Sequence, residues 1–255
     1  MIQSVDRAIR ILRELQGART LGLTELAGRL QLAASTVHGL LRTLAAGGMV
    51  EQDGAGRYTL GPAVLGLGHV YLDGNELRLR SLGAAEALSE RTGHAVRVAV
   101  LLGTDAIVVH HVSRPDGGRP PREVGSSVPA HASALGKALL AFHPAAHTLL
   151  PHDRPLPRLT GRTIADRGEL DDALTRTHAD GVAHCVDEAV IGQAEVAAPI
   201  FGPRTVAGAI GVVLPSPEHR PDGPVTHAVR EAAIAISRGM GAASWPVTTH
   251  PARTG

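Results

Sequence analysis

The stretch Ser35-Thr36-Val37-His38-Gly39-Leu40-Leu41-Arg42-Thr43-Leu44 decides the fold of the first quarter of the chain. Val37, Leu40, Leu41 and Leu44 fall at i, i+3, i+4 and i+7, the spacing of one buried helical stripe, and Gly47-Gly48 stops the helix. The opposite side presents Ser35, Thr36, His38, Gly39, Arg42 and Thr43. Alone, that pattern equally describes an ordinary amphipathic core helix. Its neighbours decide the matter. Upstream, Ser4 is placed to cap a first helix with Val5, Ala8, Ile9, Leu12 and Leu15 on one face and Asp6 in its first turn, and Gly17 to end it. Thr24 opens a short second helix to Leu30, and Gln31-Leu32-Ala33-Ala34 is the turn. Downstream, Met49-Val50-Glu51-Gln52 and Arg57-Tyr58-Thr59-Leu60 flank Asp53-Gly54-Ala55-Gly56, a predicted hairpin. Three helices and a hairpin make a winged helix-turn-helix. The third helix would enter the major groove of double-stranded DNA, and the wing would take Arg57 to a phosphate or the minor groove. The candidate DNA contacts are Thr24, Ser35, Thr36, His38, Arg42 and Arg57.

Gly61-Pro62 punctuates the chain, after which 63–71 reads as a connecting helix and 79–92 as another. Alternating Val96, Val98 and Val100 predict a strand that turns at Gly103-Thr104-Asp105 and returns over 107–112. A Pro/Gly-rich loop covers 114–129. Helices follow at 134–142 and 167–179, a strand at 182–186, a hairpin of 195–200 with 206–214, and a last amphipathic helix through Val225, Val229 and Ile236. Antiparallel hairpins with flanking helices give an α+β class. The expected division is a winged helix-turn-helix over 1–61, a linker helix over 62–75, a sensor-like domain over 76–245 and a flexible tail over 246–255.

With 255 residues, 44% of them hydrophobic, the chain can bury a core in each of two modest domains. A net charge of +1 excludes a general polyanion trap, so any nucleic-acid site is local. No apolar run reaches the roughly 20 residues of a membrane span, and the start lacks a basic-then-apolar leader. The expectation is a cytoplasmic protein with no membrane partner. Cys185 is the only cysteine, which excludes an internal disulfide.

Gly136-Lys137 lacks the earlier glycine and the following Ser or Thr of a phosphate loop. Ser133 lacks the flanking glycines of a nucleophile elbow and is placed to cap the helix at Ala134. His184 and Cys185 are adjacent on a strand, so they point to opposite faces and cannot form a thiol-base pair. His110, His111, His143, His147 and His152 show no i, i+4 pair with a carboxylate third ligand. No catalytic residue, metal or cofactor is expected.

Several segments together resemble the IclR family of bacterial transcription regulators over nearly the whole length: Ser4-Val5-Asp6-Arg7-Ala8, Leu23-Thr24-Glu25-Leu26-Ala27, Ser35-Thr36-Val37-His38, Gly56-Arg57-Tyr58-Thr59-Leu60-Gly61, His131-Ala132-Ser133-Ala134-Leu135-Gly136-Lys137-Ala138 and Val196-Ala197-Ala198-Pro199. The resemblance implies a homodimer, often a pair of dimers. Its C-terminal domain would be GAF-like and bind a small, commonly carboxylated or aromatic, effector. Carried over by these motifs, the effector lining is Val128, Ala134, Leu135, Cys185, Gln193, Glu195, Gly211 and Val213.

The chain departs from the family pattern at Ala34 and Gly39, where members frequently carry cations, and a mid-helix Gly costs about 0.5 to 1 kcal/mol against Ala. Weak binding by one reader and reliance on dimer avidity follow. In the sensor, Gly211 and Val213 stand where small polar groups commonly hold a carboxylate, and Glu195 adds an acid. An ionised Glu195 would repel an anionic effector, or else take up a proton, which favours a neutral or donor-rich ligand such as an amide, hydrazide, amine or phenol. Two rival readings remain open: a DNA-binding architectural protein without an effector, and a small-molecule enzyme fused to a DNA-binding domain. The latter is disfavoured by the absence of a triad, phosphate loop or metal cluster in the sequence. Effector closing around Val128 and Glu195 would be transmitted through the 63–71 helix as a change in wing spacing.

Overall fold

A computed structural model describes residues 2–115, 123–151 and 154–245; the expected tail over 246–255, His152 and most of the 114–122 loop lie outside these, as does the side chain of His147. The chain divides into two compact units between Gly74 and Asn75.

The first unit contains α1 (Gln3–Ala18), α2 (Leu23–Leu30), α3 (Ala34–Ala46), β1 (Val50–Gln52), β2 (Tyr58–Leu60) and α4 (Ala63–Asp73). Its core is Ile11 and Leu15 of α1, Leu26 and Leu30 of α2, Val37 and Leu41 of α3, with Leu21, Val50 and Tyr58. Leu40 and Leu44 pack at the rim of this core. Asp53 builds the hairpin turn by accepting from the Ala55 and Arg57 amides at 3.0 and 2.9 Å. Leu21 exchanges both backbone hydrogen bonds with Tyr58, which adds a short third strand to the hairpin.

In α1 and α2 three helix ends are made by other residues than the sequence suggests, and α5 starts at Glu76, three residues before the expected 79. Ser4 is not a cap, because α1 already begins at Gln3 with Ile2 before it and no side-chain cap. Gly17 does not end α1, which runs on to Ala18 and stops at Arg19 in a left-handed conformation (φ 67°). That reversal brings Leu21 to Tyr58, so a tertiary contact sets the end rather than the glycine. At α2 the polar group at the start is the Glu25 carboxylate, which accepts from the Gly22 amide at 2.7 Å.

The second unit contains α5 (Glu76–Thr92), β3 (Ala95–Leu102), β4 (Asp105–Val112), β5 (Ser127–Pro129), α6 (Ala134–Phe142), α7 (Ala146–Leu149), α8 (Arg167–Asp180), β6 (Ala183–Val186), β7 (Gln193–Phe201), β8 (Val206–Pro215) and α9 (Pro224–Gly239). Six strands form one sheet in the order β5-β4-β3-β8-β7-β6, every neighbour antiparallel. Helices α5 and α9 pack on the sheet, as does α6, with α8 against α6. Ala134, Leu135, Ala138 and Leu139 of α6 share a buried cluster with Ala99, Ala183, Cys185, Ala197 and Ala209 of the strands. Strand alternation then puts Arg97 and Glu195 on that same face. The α+β class is the one expected, whereas β5 and α7 were not anticipated. They are three and four residues long, too short for a period, and β5 exists only through its ladder to Asp105, Ala106 and Ile107.

Gly136 is the residue that lets α6 sit close. A Cβ there would come 2.1 Å from the Ala130 Cα, inside any van der Waals contact. The consequence is a helix N-terminus pressed onto the turn Ala130–Ala132, with its amides aimed at the sheet. Ser133 caps it as expected, its hydroxyl accepting from the Gly136 amide at 3.1 Å.

Candidate DNA-reading face and effector cavity

On α3, Ser35, His38 and Arg42 are exposed and Thr36 is half-buried; Thr24 is exposed in the first turn of α2. Among the described residues no side-chain hydrogen bond or ion pair engages any of these five. Their polar groups are therefore available to an outside partner. Gly39 lies on the same surface, and a Cβ there would meet nothing within 4 Å.

Arg57, expected to be carried by the wing towards a phosphate or the minor groove, is anchored within the first unit. Its guanidinium donates to the Thr20 carbonyl at 2.9 Å and lies 3.7 Å from the Glu25 carboxylate. The side chain stays half exposed, so donors remain, but its position is fixed by the start of α2.

In the second unit a cavity of about 20 Å³ is lined by Val128, Cys185, Gln193 and Glu195 together with Arg97 and Ser133. That volume holds about one water molecule. Glu195, buried in the middle of β7, uses Oε2 to accept from the Ala134 amide at 2.8 Å and the Leu135 amide at 3.2 Å. Its Oε1 lies 3.5 Å from Arg97. Arg97 in turn donates to Glu123 at 2.8 Å and pairs with it again at 2.7 Å. Burial disfavours the guanidinium charge, but Glu195 and Glu123 outweigh it and hold the Arg97 pKa above its ordinary value. His111, opposite Arg97 in the ladder, is pushed below the usual histidine range by burial and adds no positive charge at neutral pH. Arg97 thus bridges Glu195, in the cavity wall, and Glu123, outside it.

Of the eight expected effector residues, Val128, Cys185, Gln193 and Glu195 meet at the cavity. Ala134 and Leu135 reach it through their amides, which Glu195 has filled. Gly211 and Val213 are not in its wall. Gly211 lies beneath Leu135, where a Cβ would approach the Leu135 side chain to 3.3 Å and the Ala197 Cβ to 3.0 Å, and Val213 sits opposite Glu195 in the ladder. The Glu195 carboxylate meets the helix amides and Arg97, partners that the sequence did not disclose. Arg97 and Glu123 were missed. The available signal was a lone arginine inside the apolar alternation Val96-Arg97-Val98, a position that needs a buried partner.

Cys185 donates from Sγ to the Ala132 carbonyl at 3.1 Å, and burial pushes its thiol pKa up, so it is not a nucleophile. His184 instead shares a 3.0 Å hydrogen bond with His219. Among the described residues no three His, Cys, Asp or Glu side chains gather as metal ligands, and no helix is long and apolar enough to cross a membrane.

Residues 4–54 match the family model described as the IclR helix-turn-helix domain, and residues 69–238 match bacterial transcriptional regulator IclR C-terminal. The chain is 45% identical over 249 residues to the glycerol operon regulatory protein of Streptomyces griseus, covering 94% of this chain and 97% of that protein. It is 43% identical to the protein of the same name from Streptomyces coelicolor, with the same coverage of both. A crystal structure of a putative IclR transcriptional regulator from Silicibacter sp. superposes with a TM-score of 0.83 at 27% identity, covering 96% of this chain and 100% of that one.

Proposed function

The chain belongs to the IclR family, regulators of operons with a DNA-binding helix-turn-helix and an effector-binding C-terminal domain rather than enzymes, and on that premise we propose that it is a cytoplasmic repressor whose effector is an uncharged polyol. The observation behind the effector class is the Glu195 carboxylate seated on the α6 amides. Helix N-termini are natural seats for anions, and this one is filled from within by Glu195. Hydroxyl groups suit the Gln193 side chain and the Glu195 carboxylate that line the cavity. The glycerol operon named in two relatives fits that chemistry.

Ser35, Thr36, His38 and Arg42 would read base edges of an operator, with Thr24 and Arg57 on the backbone. The reader would span 1–61, the linker helix 62–75 and the sensor 76–245. A second copy of the chain would cover α4, whose Leu65, Leu67 and Val70 are exposed by 77%, 62% and 72%. Two such dimers would pair.

Calorimetry with glycerol and with pyruvate tests the effector class. Glycerol binding that weakens in Glu195→Gln, with no pyruvate binding, is the expected result. Tight pyruvate binding, indifferent to Glu195→Gln, would overturn it. A cavity no larger than one water favours a second reading, an architectural DNA-binding protein without effector. Failure of every polyol and anion to shift Tm or operator binding would select that one.

A further inference from the structure

A separate and larger cavity, about 460 Å³, lies in the second unit along the outer edge of β6, bounded by α8 and by residues near 162–164. Arg162 and Arg176 stand exposed in its wall. Lys137, the single lysine of the chain, and Glu188 also line it, both buried and paired with one another through Nζ and Oε1. The remaining carboxylate is Asp180, so three cations face two acids. His184 in the same wall is neutral at physiological pH, its pKa lowered to about 4 by burial.

Glu188 is held with unusual care for a residue in a loop. The Thr163 hydroxyl donates to its carbonyl at 2.7 Å, and the Thr160 hydroxyl donates to the carbonyl of Asp187, just before it, at 2.6 Å. The residue before it, Asp187, adopts a left-handed conformation (φ 58°), and its carboxylate accepts from the Gly192 amide at 2.7 Å and the Ser216 hydroxyl at 2.8 Å. Despite this framing, Glu188 Oε2 is buried and has no partner among the described residues. A purely structural Lys-Glu pair has no use for an orphaned acceptor, which costs stability wherever it is shut away from a donor.

We propose that this cavity is a second ligand site, distinct from the Glu195 cavity, for a small organic anion that also bears a hydroxyl group. The anionic head lies on Arg162 and Arg176, whose planar donors match carboxylate and phosphate oxygens. The hydroxyl donates to Glu188 Oε2, which is shut from solvent in the unliganded chain and is reached by a turn of the Glu188 side chain towards the cavity. Lys137 compensates Glu188 from beneath and is not available as a direct contact. The carboxylate and phosphate forms of such a ligand present the same chemistry to the site.

Calorimetry on the full chain with gluconate and with glucose 6-phosphate tests this and separates the two forms, with glucose and inorganic phosphate as controls. At least one of the two hydroxylated anions should bind one per chain. Glucose should not bind, and inorganic phosphate should bind more weakly. Arg162→Ser and Arg176→Ser, both at exposed positions, should each weaken binding about tenfold. Glu195→Gln should leave it at the wild-type value. Thermal unfolding of each variant checks that the fold is intact. No binding of either hydroxylated anion, equal binding of glucose, or equal binding of inorganic phosphate would overturn the proposal. So would binding that both arginine variants retain, or that Glu195→Gln abolishes, because the ligand would then sit in the first cavity.

Discussion

The α3 surface and the Glu195 cavity handle their polar groups in opposite ways. On α3, Ser35, Thr36, His38 and Arg42 make no side-chain bond within the described chain. In the cavity, Glu195 has its donors at Ala134, Leu135 and Arg97, and Arg97 has two carboxylates. An exposed surface can leave its donors in water, where an unmade protein bond costs nothing. A buried charge has no such freedom and must be compensated in the unliganded protein. The α3 surface therefore has its donors free as it stands, whereas a ligand at the Glu195 cavity must compete with bonds already made.

The contrast breaks most visibly at Glu195. Glu195→Ala would leave Arg97 short of one partner and the α6 amides without an acceptor, and should lower stability by about 3 kcal/mol, read as a fall in Tm. Glu195→Gln keeps an acceptor and should lose clearly less. An equal loss from both would mean that the charge, and not the hydrogen bonds, sets the cost.

Acid sharpens the same contrast. His184 is held neutral with its pKa lowered to about 4 by burial and by His219, against about 6.5 in the unfolded chain. Between those values the unfolded state binds the proton and the folded state does not. Stability is thus fully present above about pH 6.5 and is lost as the pH falls towards 4. A denaturant titration of the second unit at pH 7 and pH 5 should show the drop, and His184→Gln should flatten it.

On α3 the expectation reverses, with large effects on binding and small ones on stability. Arg42→Ala should change Tm little, since surface substitutions stay within about 0.5 kcal/mol, while operator affinity falls about tenfold. A fall that is uniform across sequences, with a salt slope lower by about one, would assign Arg42 to a phosphate instead of a base. The smallest effect belongs to Gly39→Arg. The space there is open, so the helix should gain about 0.5 to 1 kcal/mol and DNA binding should rise severalfold with a steeper salt dependence. Unchanged affinity would show that this part of α3 does not approach DNA.

The same physics explains what the sequence disclosed. Helices α2 and α3 and the hairpin were legible because Val37, Leu41 and their neighbours signal burial through local spacing. Ser133 as a cap was legible because it acts three residues away. Arg97, Glu123 and Glu195 meet across β3, β8 and β7 and a loop, so no local period records their pairing. Arg57 illustrates the same limit within the reader: its wing position was readable, but its bond to Thr20, 37 residues away, was not. Gly211 was expected in the cavity wall and instead makes room for Leu135, a role visible only once α6 is laid on the sheet.

The burial of Lys137 has a practical consequence. Since it is the chain's single lysine and is shut behind Glu188, the folded second unit offers no side-chain amine to an acylating reagent. Acylation at this one side chain, read by mass in the peptide that carries Lys137 and so apart from the chain's α-amine, then acts as a clock for local opening, and a ligand that braces the Glu188 loop would slow it.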